Sequence, residues 1–275
     1  MVNTPAKVNR KMHADSRGFP LGARRMGSCS VQIYEIQTPE EAAAVVALGV
    51  DRVGGVVLSA ADWKQPVLRE AVSTARGCGA RSSLIPLYRD EDAIARTLDY
   101  YRPDVVHFCD ALDDAGCGQL IELQFRVKQR FPEISVMRSI PIGPTGSAGR
   151  VPSLEWARRL EPASDEFLTD TLLVGSGGDG PAEQPVGGFV GITGLTCDWD
   201  VARQLVRQCR IPVILAGGIS PENAGEGLKR DRPAGVDSCT LTNALDAGGR
   251  PIRFKKDLQK VNALVAAVRR AEIMS

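Results

Sequence analysis

Histidine is scarce in this chain, and an excess of charge of either sign is missing. Only His13 and His107 occur, too few and too far apart in the chain for a His-rich metal site. Lysine and arginine (34) offset aspartate and glutamate (33) to leave a net charge of +1. That balance lacks the basic excess that binding a phosphate backbone demands, so nucleic acid is not an expected partner. No apolar run approaches the roughly 20 residues that cross a bilayer, and the N-terminus lacks a hydrophobic signal core. No membrane association is expected, and the expected location is the cytoplasm. The seven cysteines form no C-x-x-C pair, which argues against a disulfide framework or a zinc cage and for reduced thiols.

What is there describes an ordinary globular protein, 43% hydrophobic and 24% charged. Its 275 residues suit one α/β barrel or two smaller domains. Residues 1–29 mix Lys7, Arg10, Lys11, Arg17, Arg24 and Arg25 with Gly, Pro and Asn and show no apolar period, which reads as a short disordered basic arm. From Ser30 onward, short β-branched runs alternate with longer amphipathic segments, as when parallel strands are joined by crossover helices. The predicted strands are 31–36, 52–58, 81–87, 105–109, 134–140, 171–174, 212–216 and 236–240.

Thr38-Pro39-Glu40-Glu41 predicts a helix start, because the Thr hydroxyl can accept an orphan N–H and Pro suits the first helical position. Ser220-Pro221-Glu222-Asn223 predicts another. In the last helix Leu258, Val261, Leu264, Val265 and Val268 form the inward stripe, and Lys255, Lys260, Arg269 and Arg270 face water. Eight alternations in one composition regime predict a single (β/α)8 TIM barrel over 30–275, with a doubly wound open sheet as the rival. In such barrels chemistry sits where strands end and the following loops begin.

Two glycine clusters lie at such ends, 187–194, holding Thr193 and Gly194, and Ala216-Gly217-Gly218-Ile219-Ser220. Glycine lets backbone amides approach an anion, and a following helix start supplies free N–H groups. Gly-Gly pairs also serve purely steric turns, but two clusters in the last strands suit a phosphate, with Cys239 and Thr240 at the final strand end as a third contact.

Pro212-Val-Ile-Leu-Ala-Gly-Gly-Ile-Ser-Pro-Glu-Asn223, followed by Gly235-Val-Asp237, resembles the PVILAGGL-x-PEN and GVD segments of phosphoribosylanthranilate isomerases. Thr193-Gly-Leu-Thr-Cys-Asp-Trp199 is similar to that family's GTG-x-x-x-DW loop, Asp104-Val-Val-His-Phe-Cys109 to its DVVQLH strand, and Val31-Gln-Ile-Tyr-Glu35 to its VKICG start. The resemblance spans roughly residues 30–270 and implies a barrel that binds a phosphorylated substrate. It also implies an Amadori rearrangement with a cysteine base from the first strand and an aspartate acid from the sixth. Laid over this chain, the cysteine falls on Tyr34 and the aspartate on Gly175, so both are replaced. The family's substrate-carboxylate arginine has no clear counterpart; Lys64 is the nearest cation.

Other strand-end groups are therefore candidates for chemistry. His107 and Cys109 are two apart and share a face of the fourth strand, Asp110 lies just beyond, Glu35 puts a carboxylate where the family has glycine, and Asp237 is a titratable group near the last strand end. Of these, His107, Cys109 and Glu35, with Tyr34, are the catalytic candidates: an acid–base histidine, a thiol activated by its neighbour, a mouth carboxylate and a phenol that needs strong tuning. Each has a structural counterpart: a doubly bonded core histidine, a buried apolar thiol, or a loop carboxylate. Arg138, Lys64 and Asp198 are candidates for substrate binding, against structural pairing for Arg138 and helix capping for Asp198. A metal on His107, Cys109 and Asp110 would need further ligands from other strands. With no lysine in the predicted strands, Schiff-base chemistry is not expected, and no cofactor is.

The expectation is an isomerase or lyase acting on a phosphorylated sugar-derived metabolite by acid–base catalysis. The alternatives are a non-catalytic phosphometabolite- or partner-binding barrel and a phosphoribosylanthranilate isomerase with relocated catalytic groups. Monomer and homodimer are both open.

Overall fold

Strand β1 (Ser30–Ile33) pairs with β2 (Arg52–Val57) on one side and with β8 (Gly235–Ser238) on the other, which closes a ring. Between them β3 (Arg81–Pro86), β4 (Val105–Phe108), β5 (Ser135–Ile142), β6 (Glu166–Thr171) and β7 (Val213–Leu215) follow in chain order, all parallel. The computed structural model describes residues 29–174 and 186–274; most of the predicted arm, and Gly175, lie outside the described residues. The outer ring is α1 (Pro39–Ala47), α2 (Pro66–Gly77), α3 (Glu91–Tyr101), α4 (Cys117–Arg130), α5 (Ser153–Leu160), α6 (Trp199–Gln208), α7 (Ala224–Asp231) and α8 (Leu258–Ile273). This is the expected (β/α)8 barrel, and it displaces the open sheet.

Side-chain alternation divides the core in two. Val31 and Ile33 pack outward against the helices with Ala42, Val45, Val261 and Leu264. Tyr34 points inward, to a cluster with Val56, Ile85, Val105, Met137, Leu168 and Ile214. Deeper on the same inward face lies a polar floor. There Arg52 pairs with Glu166 at 2.9 Å and donates to Gln32 at 3.0 Å, and Gln32 donates to Asp237 at 2.9 Å.

Helix starts follow local chemistry. Thr38 accepts the Glu41 N–H at 3.3 Å with Pro39 in the first turn of α1, and Asp257 accepts from Gln259 and Lys260 at the start of α8. The Ser220-Pro-Glu-Asn segment departs from expectation, because α7 begins only at Ala224. Asn223 folds back instead: its Oδ1 accepts the Ser220 N–H and its Nδ2 donates to the Gly218 carbonyl, both at 2.8 Å. In α8, Val261, Leu264, Val265 and Val268 are buried as their spacing predicts. Arg269, expected in water, instead reaches Asp51 at 2.6 Å and the Cys29 carbonyl at 2.7 Å.

The sixth strand is the main displacement: predicted at 171–174, it runs from Glu166 to Thr171. Its inward positions carry two acids around Leu168, which broke the apolar pattern used to find strands. A hairpin of β9 (Asn243–Leu245) and β10 (Pro251–Lys256) sits between β8 and α8 and was not foreseen.

Candidate active site

The C-terminal ends of the strands surround a cavity whose empty volume, opening to solvent included, is about 750 Å3. Its wall includes all six residues nominated for phosphate, namely Thr193, Gly194, Gly217, Gly218, Cys239 and Thr240. Three loops therefore converge. Gly217 and Gly218 take φ of 84° and 65° directly after β7. A Cβ on Gly218 would lie 2.5 Å from the Leu195 carbonyl carbon and the Thr196 nitrogen, so only glycine lets these loops touch. The turn is pinned from below by Asn223 and by the Ser238 hydroxyl, which donates to the Ile219 carbonyl at 2.7 Å. Among the described residues, the N–H groups of Gly194, Gly217 and Gly218 donate to no protein acceptor. All three residues line the cavity.

Tyr34, Glu35, His107 and Cys109 also line the cavity, but each is held quiet. The Tyr34 ring lies across Gly54, where a Cβ would stand 2.0 Å away. Its hydroxyl shares a hydrogen bond with Ser83 Oγ at 2.5 Å and another with His107 Nδ1 at 2.8 Å, and His107 Nε2 meets Ser139 Oγ at 2.8 Å. Burial, reinforced by the charges of Arg138 and Arg52, lowers the His107 pKa to about 3, so the ring is neutral at physiological pH. It is the doubly bonded core histidine, not a titrating base. Burial pushes the Tyr34 phenol well above its ordinary value. It does the same to the Cys109 thiol, with Asp110 adding to the effect, so no thiolate forms there. Glu35 sits in left-handed backbone (φ 63°) and is buried, with its carboxylate on Arg253 at 2.7 Å and Asn243 at 3.4 Å.

The substrate-binding candidates do not reach the cavity. Arg138 projects behind β5, where it donates to the Asp110 carboxylate at 2.9 Å and the Asp110 carbonyl at 2.7 Å. Asp110 therefore points away from the face of His107 and Cys109, and the three do not form a metal set. Lys64 stands over the Tyr100 ring, 5.5 Å from its centre. Asp198 caps α6, accepting from Asp200 and Val201.

Two carboxyl groups that the sequence reading left out of the catalytic set face the cavity: Asp170 from β6 and Asp237 from β8. Asp170 is partly exposed, and it opens on the cavity; burial raises its pKa to about 7 against the opposing Thr171 N–H, which it accepts at 2.8 Å. Asp237 is also raised to about 7, first by burial and further by the charge of Asp170, while the Gln32 hydrogen bond opposes the shift. Because the sixth strand ends at Thr171, Asp170 is an acidic residue at its C-terminal end. The signal was legible: Glu166, Leu168 and Asp170 share one face by alternation.

The fold is a (β/α)8 barrel whose mouth brings glycine turns and two carboxyl groups raised toward neutrality into one cavity. No family model matches the chain. It is 32% identical over 143 residues to the N-(5'-phosphoribosyl)anthranilate isomerase of Methanocella arvoryzae, a match covering 52% of this chain and 54% of that one, so the chain spans about half the length of that relative. It is 27% identical over 247 residues to N-(5'-phosphoribosyl)anthranilate isomerase 1 of Methanosarcina mazei, covering 87% of this chain and 94% of the relative. A solved phosphoribosylanthranilate isomerase in complex with reduced 1-(o-carboxyphenylamino)-1-deoxyribulose 5-phosphate superposes with a TM-score of 0.58 at 18% identity, covering 88% of this chain and 98% of that one. In sequence and in fold the chain is phosphoribosylanthranilate isomerase-like.

Proposed function

We propose that this barrel binds a phosphorylated, sugar-derived small molecule and isomerises it by acid–base chemistry in which Asp170 gives the proton. The carrying observation is a carboxyl group with a pKa of about 7 in the same cavity as the free amides of Gly194, Gly217 and Gly218. A phosphate docked on those amides directs the sugar toward Asp170 and Asp237. A carboxylic acid that keeps its proton near neutral pH can deliver it to a ring oxygen as the ring opens. The two carboxyl groups both titrate near neutrality. With the proton on Asp170, Asp237 can take a proton from the adjacent carbon and return it to the neighbouring carbon. The hydroxyl on the first carbon gives up its proton as the carbonyl forms and so restores Asp170, which completes a net isomerisation. An aspartate acid on the sixth strand is what the family resemblance implies; the cysteine base is not present, since Tyr34 holds its place. The divergence of this site therefore lies in its base. The structurally similar isomerase carries a reduced sugar-amine phosphate, which belongs to the substrate class proposed here. Seven free thiols fit work in the cytoplasm.

The test is turnover of a panel of N-substituted 5-phosphoribosylamines followed by NMR. Wild type converts at least one member, and Asp170→Asn slows that conversion about 100- to 10,000-fold while keeping affinity for the phosphate. A second reading, a binding barrel without turnover, draws on the immobilised Tyr34–His107 pair where a base would be expected. Tight binding of the panel with no conversion would favour it.

A further inference from the structure

The cavity is asymmetric in chemistry. The phosphate turns end β7 and β8, and across the closed ring the ends of β2, β3 and β4 present Val56, Ile85, Leu87 and Cys109, joined by Phe189 from the loop after β6. Among the described residues that line the cavity there is no lysine or arginine. Cations beside the lining residues are engaged: Arg89 bonds to Asp110 at 2.8 Å and to the Gly188 carbonyl at 3.4 Å, Arg253 is held by Glu35, and Lys256 donates to the Cys239 carbonyl at 2.9 Å. Asp170 and Asp237 also line the cavity and supply no positive charge.

Resting on the isomerase reading above, we infer that the wall of Val56, Ile85, Leu87, Cys109 and Phe189 is a substrate subsite for an uncharged, apolar aryl or alkyl group on a phosphorylated sugar amine, and that it rejects a carboxylated aryl group. Burial of apolar surface favours the first kind of group. A carboxylate placed on this wall would lose its water without gaining a cation among the described lining residues. The same phosphate grip can thus serve a substrate whose other half differs from a benzoate.

Calorimetry on the full chain tests this with three probes: ribulose 5-phosphate, reduced 1-(phenylamino)-1-deoxyribulose 5-phosphate, and its o-carboxyphenyl counterpart. The phenyl compound is expected to bind at least tenfold more tightly than the carboxyphenyl one, a difference of about 1.4 kcal/mol, and more tightly than the bare sugar phosphate. Leu87→Arg, checked for an unchanged melting profile, is expected to narrow or reverse that preference. Equal or tighter binding of the carboxyphenyl compound to wild type overturns the inference, as does a phenyl group that adds nothing to ribulose 5-phosphate. In both cases the bare sugar phosphate still binds and the isomerase reading stands. If none of the three binds, the phosphate site fails and the subsite falls with it.

Discussion

Glu166 and Asp170 leave the same strand on the same face, one turned to the floor of the barrel and the other to its mouth. At the floor Glu166 meets Arg52 at 2.9 Å, and Arg52 continues through Gln32 to Asp237. At the mouth Asp170 has no cation and accepts only the neighbouring Thr171 N–H among the described residues. The same residue chemistry thus becomes structure where a partner is supplied, and an acid near neutrality where one is withheld. Asp237 touches both regimes: its Oδ1 belongs to the floor chain, yet its side chain lines the cavity.

Removing the floor cation should give the largest effect. Arg52→Met leaves Glu166 buried with only the more distant Arg81, 4.0 Å away, as counter-charge and should cost about 3–5 kcal/mol in urea unfolding; a loss under about 1 kcal/mol would show that the floor pair is dispensable. Gly218→Ala comes next, because it forces a side chain into left-handed backbone and against the Leu195–Thr196 peptide. It should cost about 1–3 kcal/mol and abolish protection by inorganic phosphate or ribulose 5-phosphate in a thermal melt.

Asp170→Asn should have the opposite sign. With a folded pKa of about 7 against an ordinary 3.8, the folded chain holds this proton more tightly than the unfolded chain does. The stability so gained is complete below about pH 4 and is lost as the pH rises through 7. Asparagine removes the titration, so the variant should be more stable than wild type by about 1–2 kcal/mol at pH 8, after discounting for water in the cavity, and no more stable near pH 4. Tyr34→Phe should be mildest: it leaves His107 Nδ1 without a partner and costs about 1 kcal/mol, with turnover nearly unchanged. A collapse of turnover would return Tyr34 to the catalytic set.

Most of this architecture was legible in the residues. Seven strands announced themselves by β-branched runs, and the Gly217-Gly218 turn by glycine ahead of a helix. The sixth strand did not, because Glu166 and Asp170 occupy its inward positions and their justification lies on other strands. For the same reason the alternation that puts His107 and Cys109 on one face said nothing of their chemistry. Tyr34, Ser139 and deep burial decide that, and all three come from tertiary structure. Arg138 misled in the opposite way: a strand arginine looks available until alternation is followed and it proves to face Asp110.

The account depends most on Asp170 as a neutral-range acid. A carbon-13 NMR titration of aspartate carboxyl groups, with Asp170→Asn used to assign the resonance, measures this directly. A midpoint close to pH 7 is predicted; a midpoint near the ordinary carboxylate value of about 4 would contradict it.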